Sequence, residues 1–420
     1  MAGQLTQDLI AIAPGRFGSP QAYGYAANGV FERSGALYIV CSNPAFGQNS
    51  WANANVNGDP PPVLAQARVL KSLDDGATWD EVDTDNGPEV SIFKAPTFAT
   101  FRGLTSPMAA CYQDADTLLV GYYVWDYVYG SAPTLRFSSF DLSTDTWGLE
   151  TAGGPAASIL GNDQPQLNLA IAFRAGDGAL VFWFDAYEDV GGANFCRMFY
   201  TVYNAGWGAA TPIDVAQAGS TDNFRIAGAV TGDAGRTHLF YMTNIGVINL
   251  LQRTLNSADV LQAVVTITSL VDTGSLLVPP FGAPWGFASS RSAAGVTTLF
   301  IPYVKDVDLD LRFQHAVSAN VPVFAEVTVG GTNCALAGIS NCGPLTDSRG
   351  LAAVTQQSVN NPAVSGSQDV STWEAFTSLT IPADPSFPSI GQYLGLGITQ
   401  GAGGLYSAGF AVNAFYFPPD

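Results

Sequence analysis

Lysine is nearly missing from this chain, occurring only at positions 71, 94 and 305, and histidine occurs only at 238 and 315. Positive charge as a whole is scarce: 16 Lys and Arg face 35 Asp and Glu, for a net charge of −19. A field of that sign repels phosphates and anionic lipid, so neither nucleic acid nor a membrane surface is an expected partner. Five cysteines are present, Cys41, Cys111, Cys196, Cys334 and Cys342, with no CxxC pair among them. With only two histidines beside them, no zinc site is expected, nor any other metal or cofactor. Cys334 and Cys342 are spaced so that a disulfide can close a small loop, while the other three sit in strand-like runs and read as buried thiols. Apolar runs such as LLVGYYVW stop at strand length, short of a membrane span. The opening MAGQLTQDLI has neither the basic n-region nor the apolar h-region of an export signal, so a soluble chain without membrane insertion is expected. Nucleophile-elbow, P-loop and dinucleotide-binding patterns are also absent, which removes the enzyme classes built on them.

What the sequence does hold is apolar residues, 47% of 420, enough to bury a large core. Long helical periodicity is lacking. Short aromatic or β-branched runs alternate with Gly, Asp, Asn and Ser clusters, the pattern of strands joined by turns. One hairpin recurs in FERSGALYIV (31–40), YQDADTLLVG (112–121), FRAGDGALVF (173–182), TGDAGRTHLF (231–240), SRSAAGVTTLF (290–300) and TQGAGGLYSAG (399–409). A third strand follows most copies and carries an arginine near its start: Arg68, Arg136, Arg197, Arg253 and Arg312. Repeats of about 60 residues with several short strands each point to propeller blades. The wide interval before the last hairpin holds room for one degenerate copy at 350–381. The expected fold is therefore all-β, a single β-propeller domain over 1–420 with six or seven four-stranded blades. Their starts are expected near 23, 106, 166, 224, 285, 350 and 392. A ring leaves no open sheet face, and pairing of QDLIAIA (7–13) with the C-terminal strands is the expected means of closing it.

After the third strand of the first repeat stands Ser72-Leu-Asp74-Asp75-Gly76-Ala-Thr78-Trp79, which fits S-x-D-x-G-x-T-W at every specified position. Asp75-Gly76 supplies a tight turn, Asp74, Ser72 and Thr78 can tie hydrogen bonds into it, and Trp79 can anchor it on the sheet. This motif resembles the Asp-box of the sialidase-like propellers, in which it marks the fold and lies away from the substrate face. FDLSTDTW (140–147) is similar to a decayed second copy. GQYLGLGITQGAGGLYSAGF (391–410) resembles the last blade of the same group, with Tyr393 at the head of its inner strand.

The resemblance implies a catalytic set: three arginines on a substrate carboxylate, a tyrosine nucleophile activated by a glutamate, and an aspartic acid on a loop. Arg16 and Arg349 match the outer arginines and Arg225 (or Arg291) the middle one; Tyr393 matches the nucleophile and Asp59 the acid. The glutamate departs from the pattern. None lies between 189 and 325, where the family's tyrosine partner precedes the middle arginine, and only the shorter Asp222 or Asp272 is available. Without an activating base a phenol stays near its ordinary pKa of about 10. Trp51 among Asn49, Asn53, Asn55 and Asn57, together with Trp125, Tyr127 and Tyr129, gives the mixture of aromatics and amides that suits sugar stacking or a protein interface. Asp306, Asp308 and Asp310 alternate like calcium ligands but lack the loop glycine and closing glutamate; on a strand they would share one solvated face. The sequence thus favours a non-catalytic binding or structural module engaging a glycan or a neighbouring protein through its loop face. The Lys-poor, Ala- and Gly-rich composition fits a bacteriophage virion appendage. The alternative is an exo-glycosidase of the sialidase class using Arg16, Asp59, Arg349 and Tyr393.

Overall fold

A computed structural model describes residues 5–10, 30–43, 66–73, 80–82, 101–127, 134–151, 153–155, 169–190, 193–213, 217–218, 224–245, 247–269, 289–293, 295–305, 308–330, 337–339, 351–356, 362–367, 373, 375, 377–378, 393–400 and 406–412. They form seven sheets. The first holds β2 (Val30–Arg33), β3 (Ala36–Asn43), β4 (Gln66–Ser72) and β5 (Asp80–Val82), after an N-terminal strand β1 (Leu5–Ile10) that belongs elsewhere. The second holds β6 (Phe101–Tyr112), β7 (Thr117–Tyr127), β8 (Thr134–Asp141) and β9 (Thr146–Trp147). The third holds β10 (Leu169–Arg174), β11 (Ala179–Val190), β12 (Ala193–Tyr203) and β13 (Thr211–Pro212), with β14 (Gln217–Ala218) also on β12. The fourth runs β15 (Phe224–Thr231), β16 (Thr237–Ile245), β17 (Val247–Leu255), β18 (Val265–Ser269), and the fifth β19 (Ser289–Ala293), β20 (Val296–Val304), β21 (Leu311–Val317), β22 (Ala325–Gly330). The sixth runs β23 (Ala337–Ile339), β24 (Leu351–Gln356), β25 (Pro362–Ser367), β26 (Thr377–Ser378). The seventh joins β27 (Tyr393–Gln400) and β28 (Tyr406–Val412) to β1, which pairs parallel to β28 from Leu5↔Tyr406 to Ile10↔Ala411.

Within the first six sheets every pairing is antiparallel and sequential neighbours lie side by side. All six recurring sequence hairpins are hairpins between the first two strands of a sheet. The two-residue turn between β2 and β3 has Ser34 and Gly35 both at positive φ (52° and 87°), which a glycine second residue tolerates. Arg68, Arg136, Arg197, Arg253 and Arg312 all lie on third strands. One expectation shifts: the sixth sheet takes its first strand from 337–339, upstream of the 350–381 copy. That three-residue strand, flanked by Gly, Asn and Cys, carries no alternation for a sequence reading to register.

The second strands are apolar on both faces because each face packs on a different neighbour. Leu118, Val120 and Tyr122 of β7 join Phe31, Tyr38, Val40 and Val69 of the first sheet, while Leu119 turns toward Leu169, Ile171 and Phe182 of the third. On β11, Leu180, Phe182 and Phe184 face the second sheet, and Val181 and Trp183 face Ile226, Leu239 and Tyr241 of the fourth. Phe240 and Met242 of β16 then meet Leu299, Ile301 and Tyr303 of the fifth. Each such fully buried side chain contributes about 1.5–3 kcal/mol of transfer free energy, so the sheet-to-sheet interfaces are the core. Contacts between sheets run from β3 to β6, β6 to β10, β10 to β15, β15 to β19, β20 to β23, β24 to β27 and β27 to β2. Among the described residues no helix is long and apolar enough to cross a membrane.

Candidate functional site

Each sheet has a leading end, where its first strand begins and its second-to-third connection leaves, and a trailing end carrying the other two turns. Among the described residues, trailing ends are clasped between the first and second sheets and from the third through the fifth. Arg33, at the end of β2, reaches Asp116 in the β6–β7 turn at 2.6 Å. Tyr38 donates to Leu142 O at 2.9 Å and Lys71 to Asp145 at 2.6 Å, both in the turn after β8. Arg174, fully buried at the end of β10, binds Asp177 in its own turn and Asp259 in the turn after β17, each at 2.6 Å. Thr231 Oγ1 donates to Phe173 O at 2.6 Å, and Asp233 accepts from Thr297 N at 2.9 Å. The clasps are local consequences of turn chemistry. The carboxylate of Asp141 and the amide oxygen of Asn256 cap their turns, and Asp145 and Asp259 sit at φ 57° in the left-handed region that short polar side chains tolerate. Such interlocked ends leave little to bind with.

Three of the sequence-derived residues, Tyr393, Arg225 and Trp125, fall at leading ends. Tyr393 opens β27, the first strand of its sheet, opposite Val412. Arg225 is the second residue of β15, opposite Met242. Trp125 lies on β7 opposite Gly103, three residues into β6. Arg291 is on β19 and Ser72, the first residue of the Asp-box, ends β4. Arg16, Trp51, Asp59, Asp222, Asp272 and the remaining box residues Asp74, Gly76, Thr78 and Trp79 lie outside the described residues, as do Cys334, Cys342 and Arg349. The connection from β4 to β5 and the turn 142–145 both join third to fourth strands, at trailing ends. After the second of these, Trp147 packs edge-on against Phe140 with 5.1 Å between ring centres.

One polar cluster at the leading end was not anticipated. Tyr303 on β20 pairs across the strands with Arg312 on β21 and donates its hydroxyl to Glu326 on β22. Arg312 Nη1 donates to Glu326 Oε1 at 2.6 Å, its Nη2 donates to Asp308, and Gln314 Nε2 donates to the Tyr303 hydroxyl at 3.3 Å. Lys305 Nζ reaches Thr268 Oγ1 of the neighbouring sheet at 3.2 Å and lies 3.8 Å from Glu326. Burial and the hydrogen bond to Glu326 push the Tyr303 phenol above its ordinary value. Burial pushes Glu326 up as well, but bonds from Tyr303 and Arg312 and the Lys305 charge outweigh it and hold the carboxyl below the ordinary range.

The second sheet repeats this arrangement. Tyr122 pairs with Arg136 and contacts Ser138 Oγ at 2.8 Å and Glu150 at 3.2 Å, and Arg136 donates to Glu150 at 2.8 Å. In both sheets the glutamate follows the arginine by 14 residues. The shared LRF at 135–137 and 311–313, each followed by that glutamate, was the available signal. Both tyrosines are buried and both carboxylates engaged, so these are clamps joining strands rather than ligand-binding groups. Asp308 and Asp310 correct the alternating-strand reading: they stand in the β20–β21 connection, where Asp308 accepts from Arg312 and from the Asp310 amide at 3.1 Å. Asp306 lies outside the described residues. Among the described residues no three His, Cys, Asp or Glu side chains are grouped to hold a metal ion.

No family model and no curated protein matches the chain. The solved structures to which it is similar include sialidases, a lectin and a polysaccharide lyase. The Hadza microbial sialidase Hz136 aligns with TM-score 0.45 at 14% identity, over 79% of this chain and 63% of that one. The BP39L lectin from Burkholderia pseudomallei aligns with TM-score 0.39 at 13% identity, over 85% and 100%. The polysaccharide lyase Uly1 aligns with TM-score 0.40 at 10% identity, over 95% and 89%. The chain thus spans under two thirds of the sialidase's length.

Proposed function

We propose that the seven sheets are the blades of one closed β-propeller and that the chain is a non-catalytic binding module. Its leading face engages a glycan or a neighbouring protein. The cyclic run of contacts, returning from β27 to β2, and the parallel β1–β28 pairing support the ring. The observation that carries the function is the difference between the two ends. Side-chain clasps tie trailing ends of the first five sheets, whereas the connections 11–29, 44–65, 83–100, 156–168, 270–288 and 379–392 all join strands at leading ends. Those connections hold Arg16, Trp51 and Asp59, and the flanking strand ends hold Arg225, Trp125 and Tyr393. Loops on a rigid scaffold are where binding residues concentrate. A virion appendage is a setting that suits such a module.

Immobilised-glycan screening followed by titration tests this reading. Trp125→Ala and Arg225→Ala are expected to weaken binding of a retained glycan up to about tenfold each, the range of one aromatic or charged contact. Retained affinity in both variants would place the binding surface elsewhere. Hydrolysis of a fluorogenic sialoside, lost in Tyr393→Phe, would instead assign the chain to the sialidase class.

A further inference from the structure

His238 is fully buried on β16, and no part of the proposed binding face uses it. Its ring is bonded on both sides. Nε2 lies 2.9 Å from Ser318 Oγ, beyond the end of β21 in the neighbouring sheet, and Nδ1 lies 3.0 Å from Gln252 Nε2 and 3.1 Å from Thr254 Oγ1 on β17. Gln252 Nε2 can only donate, so Nδ1 is the acceptor and the ring proton sits on Nε2, donating to Ser318. Ser318 Oγ also accepts from the Asp233 amide at 3.0 Å, and Thr254 Oγ1 donates to Ala319 O at 3.3 Å. The neutral ring is therefore the centre of a network that fastens the fourth sheet to the fifth at their trailing ends, with Gln252 Oε1 buried beside it and unpartnered. Gly232 passes so close that an added Cβ would meet both His238 Nε2 and Ser318 Oγ.

We propose that His238 is an acid-sensitive latch: protonation of its buried ring at Nδ1 destabilises the closed junction between the fourth and fifth sheets and opens it at the trailing end. An imidazolium carries a second N–H at Nδ1, aimed at the amide hydrogens of Gln252. No carboxylate among the described contacts compensates the charge. Among the described contacts the ring meets Gln252 and Thr254 on β17 and Ser318 beside the fifth sheet, while Ala319 O takes the Thr254 hydroxyl. The two charged groups nearby come from the β15–β16 turn. The Asp233 carboxylate is held by Thr297 N and Oγ1, and Arg236 points to Asn320 Oδ1 at 2.9 Å and to Asp233 O at 3.0 Å. Burial, with a further contribution from the Arg236 charge, holds the folded-state value down to about 3. The sign follows: the junction has its full stability above pH 6.5, and loses it as pH falls from 6.5 toward 3, because the opened ring binds a proton that the closed ring refuses.

Hydrogen exchange at amides 232–238, 252–256, 296–298 and 316–320, corrected for intrinsic rates, reads the opening directly. With an opened-state value of 6.5, the opening constant rises roughly 50-fold between pH 6.5 and 4.5. His238→Gln, whose amide can still donate to Ser318, is expected to flatten that rise. Arg236→Gln keeps the latch and removes the like charge, so the pH at which the rise levels off moves upward. A wild-type rise no larger than that of a folded His238→Gln, or a profile unmoved in Arg236→Gln, would overturn the latch.

Discussion

Arg174 is the most deeply buried charge among the described residues, and it allows a test of which partner in a clasp carries the cost. Its side chain is 2% exposed, whereas those of its partners Asp177 and Asp259 are 37% and 49% exposed. Asp177 is held by two nitrogens, Nε at 3.2 Å and Nη2 at 2.6 Å; Nη1 serves Asp259 at 2.6 Å and Asn256 O at 3.2 Å. Every guanidinium nitrogen is therefore engaged, and the chain has enclosed a cation whose counter-ions remain at the water boundary. Removing the acids and removing the base should then differ. In Asp177→Ala/Asp259→Ala a buried guanidinium keeps only one carbonyl, a loss of about 3–5 kcal/mol. In Arg174→Met the stem volume is kept and both carboxylates hydrate where they stand, so the loss falls to about 1–2 kcal/mol.

Each single aspartate variant is expected to lose less than half of what the double loses, because the remaining carboxylate still compensates the charge. Equilibrium urea unfolding of the four variants, with near-ultraviolet circular dichroism and fluorescence transitions required to coincide, provides the comparison. If Arg174→Met proves as costly as the double aspartate variant, the clasp is a packing device and the electrostatic account fails.

The strands were legible because their residues leave few alternatives. FRAGDGALVF can only be two apolar strands around a Gly-Asp-Gly turn, and it became β10 and β11. The blade-like repeat was legible for the same reason. Much less of the clasp system was, because Arg174 and Asp259, or Lys71 and Asp145, are far apart in the chain and no local period joins them. The Tyr–Arg–Glu clamps stood in between. The arginines of LRFSSF and LRFQHA were visible as third-strand residues, but their glutamates lie beyond a turn whose geometry only the fold supplies. Of the candidate site, Arg225, Trp125 and Tyr393 fall at leading ends because the hairpin register fixes which end each strand position occupies.

Two further outcomes test the packing between sheets. Gly121 of β7 lies where an added Cβ would stand 2.9 Å from Phe182 Cε1 and 3.0 Å from Ile171 Cγ2, so Gly121→Ala is expected to lower stability by about 1–3 kcal/mol in urea unfolding. An unchanged midpoint would mean that the second and third sheets meet less tightly there. Cys111 faces the same interface, among Leu119, Leu169 and Ile171. Burial raises its thiol to about 12, with a backbone hydrogen bond from Phe173 opposing only part of the shift. At pH 8 the thiolate is then about one part in ten thousand, against about a quarter for an ordinary cysteine near 8.5. Since only the thiolate attacks, alkylation in the folded protein must pass through separation of the two sheets, and its rate should follow denaturant rather than reagent pKa matching. Peptide mapping after iodoacetamide treatment reads this residue by residue. Cys111 labelled in native buffer as fast as in urea would show that the second and third sheets do not close over it.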